Sequence, residues 1–255
     1  MSASPSDLAS HRPGAFRWYL TASSLWMAGM SLQGFLMTSL LVVVLDLPAD
    51  RTGWARLMSE LPPLAILLLG GFLGDRRNSR GYLMTMHLLM AVPPLLIATV
   101  YGLGALGYWW VVLFGVLMAS VQSLSDPARQ STLSRVTQLD IQRAVTLMTV
   151  VTSLVGLVGF LLGSQLENWG VITVLVLQSL LFFVGILAIY QLPSLPALTT
   201  QSGSQTPRQA LRRGLTAVWR LPLVRNIIGL NFLSSLFNAG AYIVAVPYIV
   251  TQVYG

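Results

Sequence analysis

The chain has 255 residues, of which 55% are hydrophobic and only 9% charged, against about 25% charged in soluble domains. So little charge cannot clothe a water-facing surface, which excludes an ordinary soluble domain and makes the lipid bilayer the expected solvent. The net charge is +7, and all 15 basic residues are arginines in short loops between apolar runs, a pattern of membrane topology rather than of nucleic-acid binding.

A spanning helix needs about 20 apolar residues, and that length divides the chain. Residues 1–17 form a polar N-terminal segment. Residues 18–45 carry no charge and make the first span. They are too long for a signal-peptide core and lack its small-residue cleavage pattern. The second span covers about 55–74 and the third about 82–101. Between these two lies a tight hairpin, 70–81, dense in charge. A turn at 102–107 precedes the fourth span, 108–125. Ser125, Asp126 and Pro127 then read as a helix start, with Asp as cap and Pro at the first position. The fifth span covers 144–166 and the sixth 171–191. Composition changes at 192–222 to prolines, serines, threonines and arginines, a linker with an amphipathic piece near 209–219. A seventh span covers 226–250.

With the N-terminus inside, only Arg51 and Arg56 fall outside, and the other 13 arginines fall inside. The positive-inside rule therefore places the N-terminus in the cytoplasm. An all-α polytopic membrane protein of about seven helices follows, since helices satisfy their own backbone in lipid. The expected division is a cytoplasmic segment 1–17, a six-helix bundle 18–191, a cytoplasmic linker 192–222 and a further helix within 223–255.

Several residues stand out against this background. Asp75 ends the second span, where the helix dipole already concentrates negative charge, so it should find a partner elsewhere. Glu60 is the acid set within an apolar span, followed by Pro62 and Pro63. An acid at membrane depth costs about 2.5–3.5 kcal/mol on insertion scales and usually faces a cavity. An interfacial ion pair with Arg56 or Arg51 is the other reading. Gln33, Gln122, Gln178, Asn231 and Asn238 are polar within spans and either line a cavity or bond between helices. Gly156, Gly159 and Gly163 share one face of the fifth helix and allow close approach of a neighbour. His87 reads as a packed hydrogen-bonder.

The hairpin carries a resemblance. Gly71, Asp75, Arg76 and Arg80 match the Gly-x-x-x-Asp-Arg-x-Gly-Arg-Arg pattern between the second and third helices of major facilitator superfamily transporters. Asn78 and Ser79 depart from it. Ser125 to Ser131, Arg143-Ala144 and the closing Val246-Pro247-Tyr248 resemble the branch containing enterobactin and macrolide exporters. The resemblance implies the six-helix N-terminal half of such a fold plus one helix of an incomplete second half, with the missing C-terminal half as a partner. It implies a gate latch of Gly71, Asp75, Arg76 and Arg80, with Arg129 a candidate contact for Asp75. Exporters carry a Gly-Pro motif in the fifth helix, where Phe160 stands in place of the proline.

The expected function is a secondary transporter, a proton-coupled exporter of an amphipathic small molecule that resembles a drug or siderophore. Glu60 is the candidate proton carrier, and the site is a multi-pass cell (inner) membrane. The alternative is a non-transporting or regulatory fragment. A membrane enzyme would need clustered acids or histidines, and the chain shows none of these motifs and no cysteine. No cofactor, metal or nucleic acid is expected; substrate, protons and lipid are.

Overall fold

The computed structural model describes residues 14–75, 79–194, 216 and 219–240. Among these the regular structure is helical, with no strand. The helices are α1 (Ala15–Ser39), α2 (Ala49–Asp75), α3 (Ser79–Gly102), α4 (Tyr108–Val136), α5 (Ile141–Ser164), a short α6 (Leu166–Trp169), α7 (Val171–Tyr190) and α8 (Pro222–Gly240). The chain divides into two compact units, Met1–Gln201 and Ser202–Gly255. The first holds α1 to α7. The second holds α8, and the rest of the expected seventh span, 241–250, lies outside the described residues.

Local chemistry sets the helix ends. Gly14 enters α1 at φ 96 and Gly170 enters α7 at φ 79, backbone values that favour glycine. Asp140 caps α5 by accepting from the Gln142 amide at 3.0 Å. α1 continues through a π-helical turn, Leu40–Val44, and the chain then reverses at Asp46, φ 47. Aspartate tolerates that left-handed conformation better than most residues.

α1 with its π-turn, α3, α4, α5 and α7 are each long and apolar enough to cross a bilayer. α2 matches them at 27 residues. It starts at Ala49, six residues before the expected span, and so takes Asp50 and Arg51 into its first turn. The outward faces are apolar: Leu88, Val92 and Leu96 on α3, Leu154, Leu157 and Leu161 on α5, and Val176, Leu180 and Leu187 on α7 are all exposed. In water such a continuous apolar belt would drive association; in lipid it is the required surface of a multi-pass membrane protein.

Inside the first unit α1 is the hub. It packs against α5, α7 and α4, while α2 packs on α4, and α3 on α7 and α4. Leu32, Leu36, Leu40 and Leu41 of α1 and its π-turn are fully buried, beside Phe114 of α4 and Phe182 of α7. Hydrogen bonds tie the rims. At one rim Arg80 of α3 bonds the Leu192 carbonyl at 3.4 Å beyond α7, and Arg135 of α4 bonds Ser79 at 3.1 Å. At the other, Tyr108 of α4 donates to the Arg51 carbonyl of α2 at 3.4 Å.

One expectation is overturned. Asp126 and Pro127 do not start a helix: α4 runs unbroken from Tyr108 to Val136 with Pro127 inside it. Proline breaks a solvated helix because it removes a donor and crowds the preceding turn. Membrane helices keep such prolines when neighbours and side chains serve the freed backbone. α2 and α3 do the same at Pro62-Pro63 and Pro93-Pro94.

Candidate functional site

α1, α2 and α4 enclose a cavity of about 350 Å³. Its walls come from short helical stripes. α4 contributes Gly115, Met118, Ala119, Gln122, Ser123 and Asp126, a spacing of three and four that keeps them on one face. α1 contributes Met30, Gln33, Gly34 and Met37, and α2 contributes Arg56, Ser59, Glu60 and Pro63. The walls meet tightly at one level, where a methyl on Gly115 would strike the Ser59 hydroxyl and the Met37 terminus. Ser59 itself donates to the Ala55 carbonyl at 2.9 Å.

The structure therefore brings Gln33, Gln122 and Glu60 to one cavity. Glu60 is exposed to that space. Arg56, the expected partner of Glu60 in an ion pair, is engaged elsewhere. Its guanidinium donates to the Gly34 carbonyl at 3.3 Å and to the Thr38 hydroxyl, both on α1. It thus staples α2 to α1 at the cavity mouth.

Gln178 is not a cavity residue. It sits on α7, fully buried behind α1, and its amide donates to the Gly29 carbonyl at 3.0 Å and to Gln33 Oε1 at 2.9 Å. It orients Gln33 from behind and so acts between helices. Asn231 lies on α8, exposed within the second unit, and the side chain of Asn238 lies outside the described residues.

The hairpin residues are partly described. Gly71 and Asp75 belong to the end of α2, where only the backbone is described, and Arg76 lies outside the described residues. Arg80 opens α3, bonded to Leu192 as above and lying 4.8 Å from the Tyr190 ring centre. Arg129 does not reach out to the rim. It stacks over the Trp26 ring at 4.6 Å, a favourable arrangement for a desolvated guanidinium. The Tyr19 hydroxyl donates to the Arg129 carbonyl at 2.5 Å. His87 completes this inner cluster, with its ring 4.7 Å from Trp26 and its Nδ1 3.0 Å from the Leu83 carbonyl.

The glycines of α5 all face α1. A Cβ on Gly159 would lie 2.6 Å from the Ala28 carbonyl oxygen, one on Gly156 would lie 3.2 Å from the Ser31 hydroxyl, and one on Gly163 would lie 3.0 Å from Phe35. Phe160 is exposed at the edge of the same seam and meets Phe35 of α1 edge-on at 5.8 Å.

Sequence reasoning missed Asp126, Arg56, Ser59, Ser123 and Gly34 as cavity residues. The stripe from Gly115 to Asp126 was a visible signal, since small and polar residues recur there at helical spacing.

No curated protein sequence matches the chain. The family model described as Major Facilitator Superfamily matches residues 16–255, nearly the whole length. A bundle of long apolar helices around a polar cavity agrees with that match, and the chain belongs to the Major Facilitator Superfamily.

Proposed function

We propose that the chain acts in proton-coupled export of an amphipathic small molecule, with Glu60 as the proton carrier. One observation carries this reading: an acidic side chain, free of its neighbouring arginine, opens into a cavity that also holds Gln33 and Gln122. A carboxyl there can change charge as the cavity opens to either side. Superfamily membership supports transport of a small molecule across the bilayer in general. Alternating access would set this bundle against a second one. Gly71, Asp75, Arg76 and Arg80 would latch the cytoplasmic rim, with Arg129 holding the adjoining part of α4 in place. The arginine distribution supports a cytoplasmic N-terminus in the cell membrane.

The test is efflux from proteoliposomes under an imposed pH gradient. Glu60→Gln is expected to abolish gradient-driven efflux while leaving substrate binding in place. Unchanged gradient-driven efflux in that variant removes Glu60 from the mechanism, and absence of any solute movement by the wild-type protein sinks the transport reading.

A further inference from the structure

A buried amide pair behind the cavity fixes which way one of its wall groups faces. The Gly29 carbonyl of α1 can only accept a hydrogen bond, and Gln178 of α7 donates to it from Nε2 at 3.0 Å. That contact fixes the direction of the Gln178 amide. The same Nε2 gives its second hydrogen to Gln33 at 2.9 Å, so the atom it meets there is the Gln33 oxygen. The nitrogen of Gln33 is therefore turned away from α7. Gln33 is only 7% exposed and lines the cavity between α1, α2 and α4. Among the described residues its Nε2 has no hydrogen-bond partner.

The packing around the pair resists reversal. Gln178 is fully buried, and its Oε1 has no partner among the described residues. Turning that amide over would set an oxygen against two other acceptors and break both bonds. Gly29 is what lets α7 come this close: a methyl there would lie 2.6 Å from the ring of Phe182, one turn along α7 from Gln178. The other polar groups of the cavity wall are not set in this way. Glu60 and Asp126 accept when ionised, and Arg56 only donates. Gln122 makes no hydrogen bond among the described residues, so its amide is free to present either end. Met30 and Met37 flank Gln33 on the same face of α1.

We propose that Gln178 is a positioning residue that holds Gln33 as a hydrogen-bond donor towards the cargo, so that the cavity selects a solute carrying an acceptor, such as a carbonyl oxygen, between apolar groups. The inference rests on the transport reading above and adds how the cavity chooses its cargo. A solute with no polar atom at that point leaves the buried N–H unpaired, and a solute with a donor there meets a second donor. The thioethers of Met30 and Met37 take the apolar groups on either side of the acceptor. Gln178→Glu keeps the shape of the side chain and leaves at most one hydrogen where Gln178 carries two. The Gly29 carbonyl cannot turn, so in either protonation state the new carboxyl accepts from Gln33. The Gln33 amide then turns over and offers its oxygen to the cavity, which inverts the preference.

Benzophenone, diphenylamine and diphenylmethane are the probes. Each joins two phenyl groups through one bridging group, which is an acceptor in the first, a donor in the second and neither in the third. Equilibrium dialysis of the full chain in detergent, against matched micelles, is expected to show benzophenone bound about fivefold more tightly than diphenylmethane, or about 1 kcal/mol. Diphenylamine should bind no more tightly than diphenylmethane. Gln178→Glu should reverse the order and favour diphenylamine, and Gln178→Met should bind the two polar probes alike, because a freed amide turns to suit each. A merely structural Gln178 would weaken all three probes together and keep their order. Equal or unsaturable binding of the three by the wild-type protein, or an unchanged benzophenone preference in Gln178→Glu, overturns the proposal. A second measurement needs no variant. Benzophenone inserts into a neighbouring C–H bond on irradiation, and mass spectrometry should find the label at Met30 or Met37. Labelling of other residues with both methionines untouched overturns the proposal. The binding arms do not require transport. No acceptor preference in a protein with gradient-driven efflux overturns the amide assignment and leaves the transport reading standing. An acceptor preference reversed by Gln178→Glu in a protein that moves no solute keeps the assignment and overturns the transport reading.

Discussion

α1 has two faces of opposite character. Towards α5 it packs backbone against backbone, and a methyl on Gly159 would lie 2.6 Å from the Ala28 carbonyl oxygen. Towards α2 and α4 it borders open space, and a methyl on Gly34 would touch nothing within 4 Å. Lipid offers no hydrophobic reward for pairing helices, so a membrane bundle is held by close backbone approach and interhelical hydrogen bonds. The α5 and α7 sides of α1 use both devices. On the cavity side α1 is held by the Arg56 hydrogen bonds to Gly34 and Thr38, and at Gly34 it makes no close backbone approach, so most of the backbone-to-backbone packing lies behind the cavity.

The largest effect is expected where the two faces contrast most. Gly159→Leu must push α5 off the Ala28 backbone, which has no freedom to yield. Overpacking of this kind costs about 1–3 kcal/mol or more, and a thermal shift assay in detergent should show a large fall in melting temperature. An unchanged melting temperature would mean that the α1–α5 seam is not tight. A smaller effect is expected at Gly185, whose added Cβ would lie 2.5 Å from His87 Cδ2. Gly185→Ala should destabilise the protein, and adding His87→Ala should restore much of the loss, because the pair shares one contact. Additive losses in the double variant would place the strain elsewhere. The smallest effect on stability is expected at Gly34. Gly34→Ala should leave the melting temperature within measurement error, and a progressive loss of transport across Ala, Leu and Trp should report cargo volume. A melting temperature lowered as far as by Gly159→Leu would erase the distinction between the faces.

Much of the bundle was legible because hydropathy reports burial in lipid directly. The spans at 82–101 and 171–191 differ from α3 and α7 by at most three residues at either end. α4 was cut short because Asp126-Pro127 is a strong helix start in water, and a membrane helix keeps its mid-helix proline. That misreading also hid Asp126 as a cavity residue. Glu60 stood out as an acid in an apolar run, and no neighbouring element was needed to single it out. Gln33 and Gln178 could not be told apart, since both are lone amides in apolar helices. Their roles depend on how α1 and α7 rotate against one another, which is a tertiary property. Arg129 read as a candidate contact for Asp75 or as one more of the inside arginines, and only the position of Trp26 shows that the bundle holds it inside.

The π-turn at Leu40–Val44 bears on chain length. A π-turn holds one residue more than the α-helical turn it replaces. Losing one residue there would relax the turn to ordinary helix and leave Met30 to Met37 facing the cavity as before. Losing one residue at Ser31 or Leu32 would rotate that stripe by about 100° against the glycines of α5. The far end of α1 is thus a place where the chain can change length without changing what the cavity presents to its cargo.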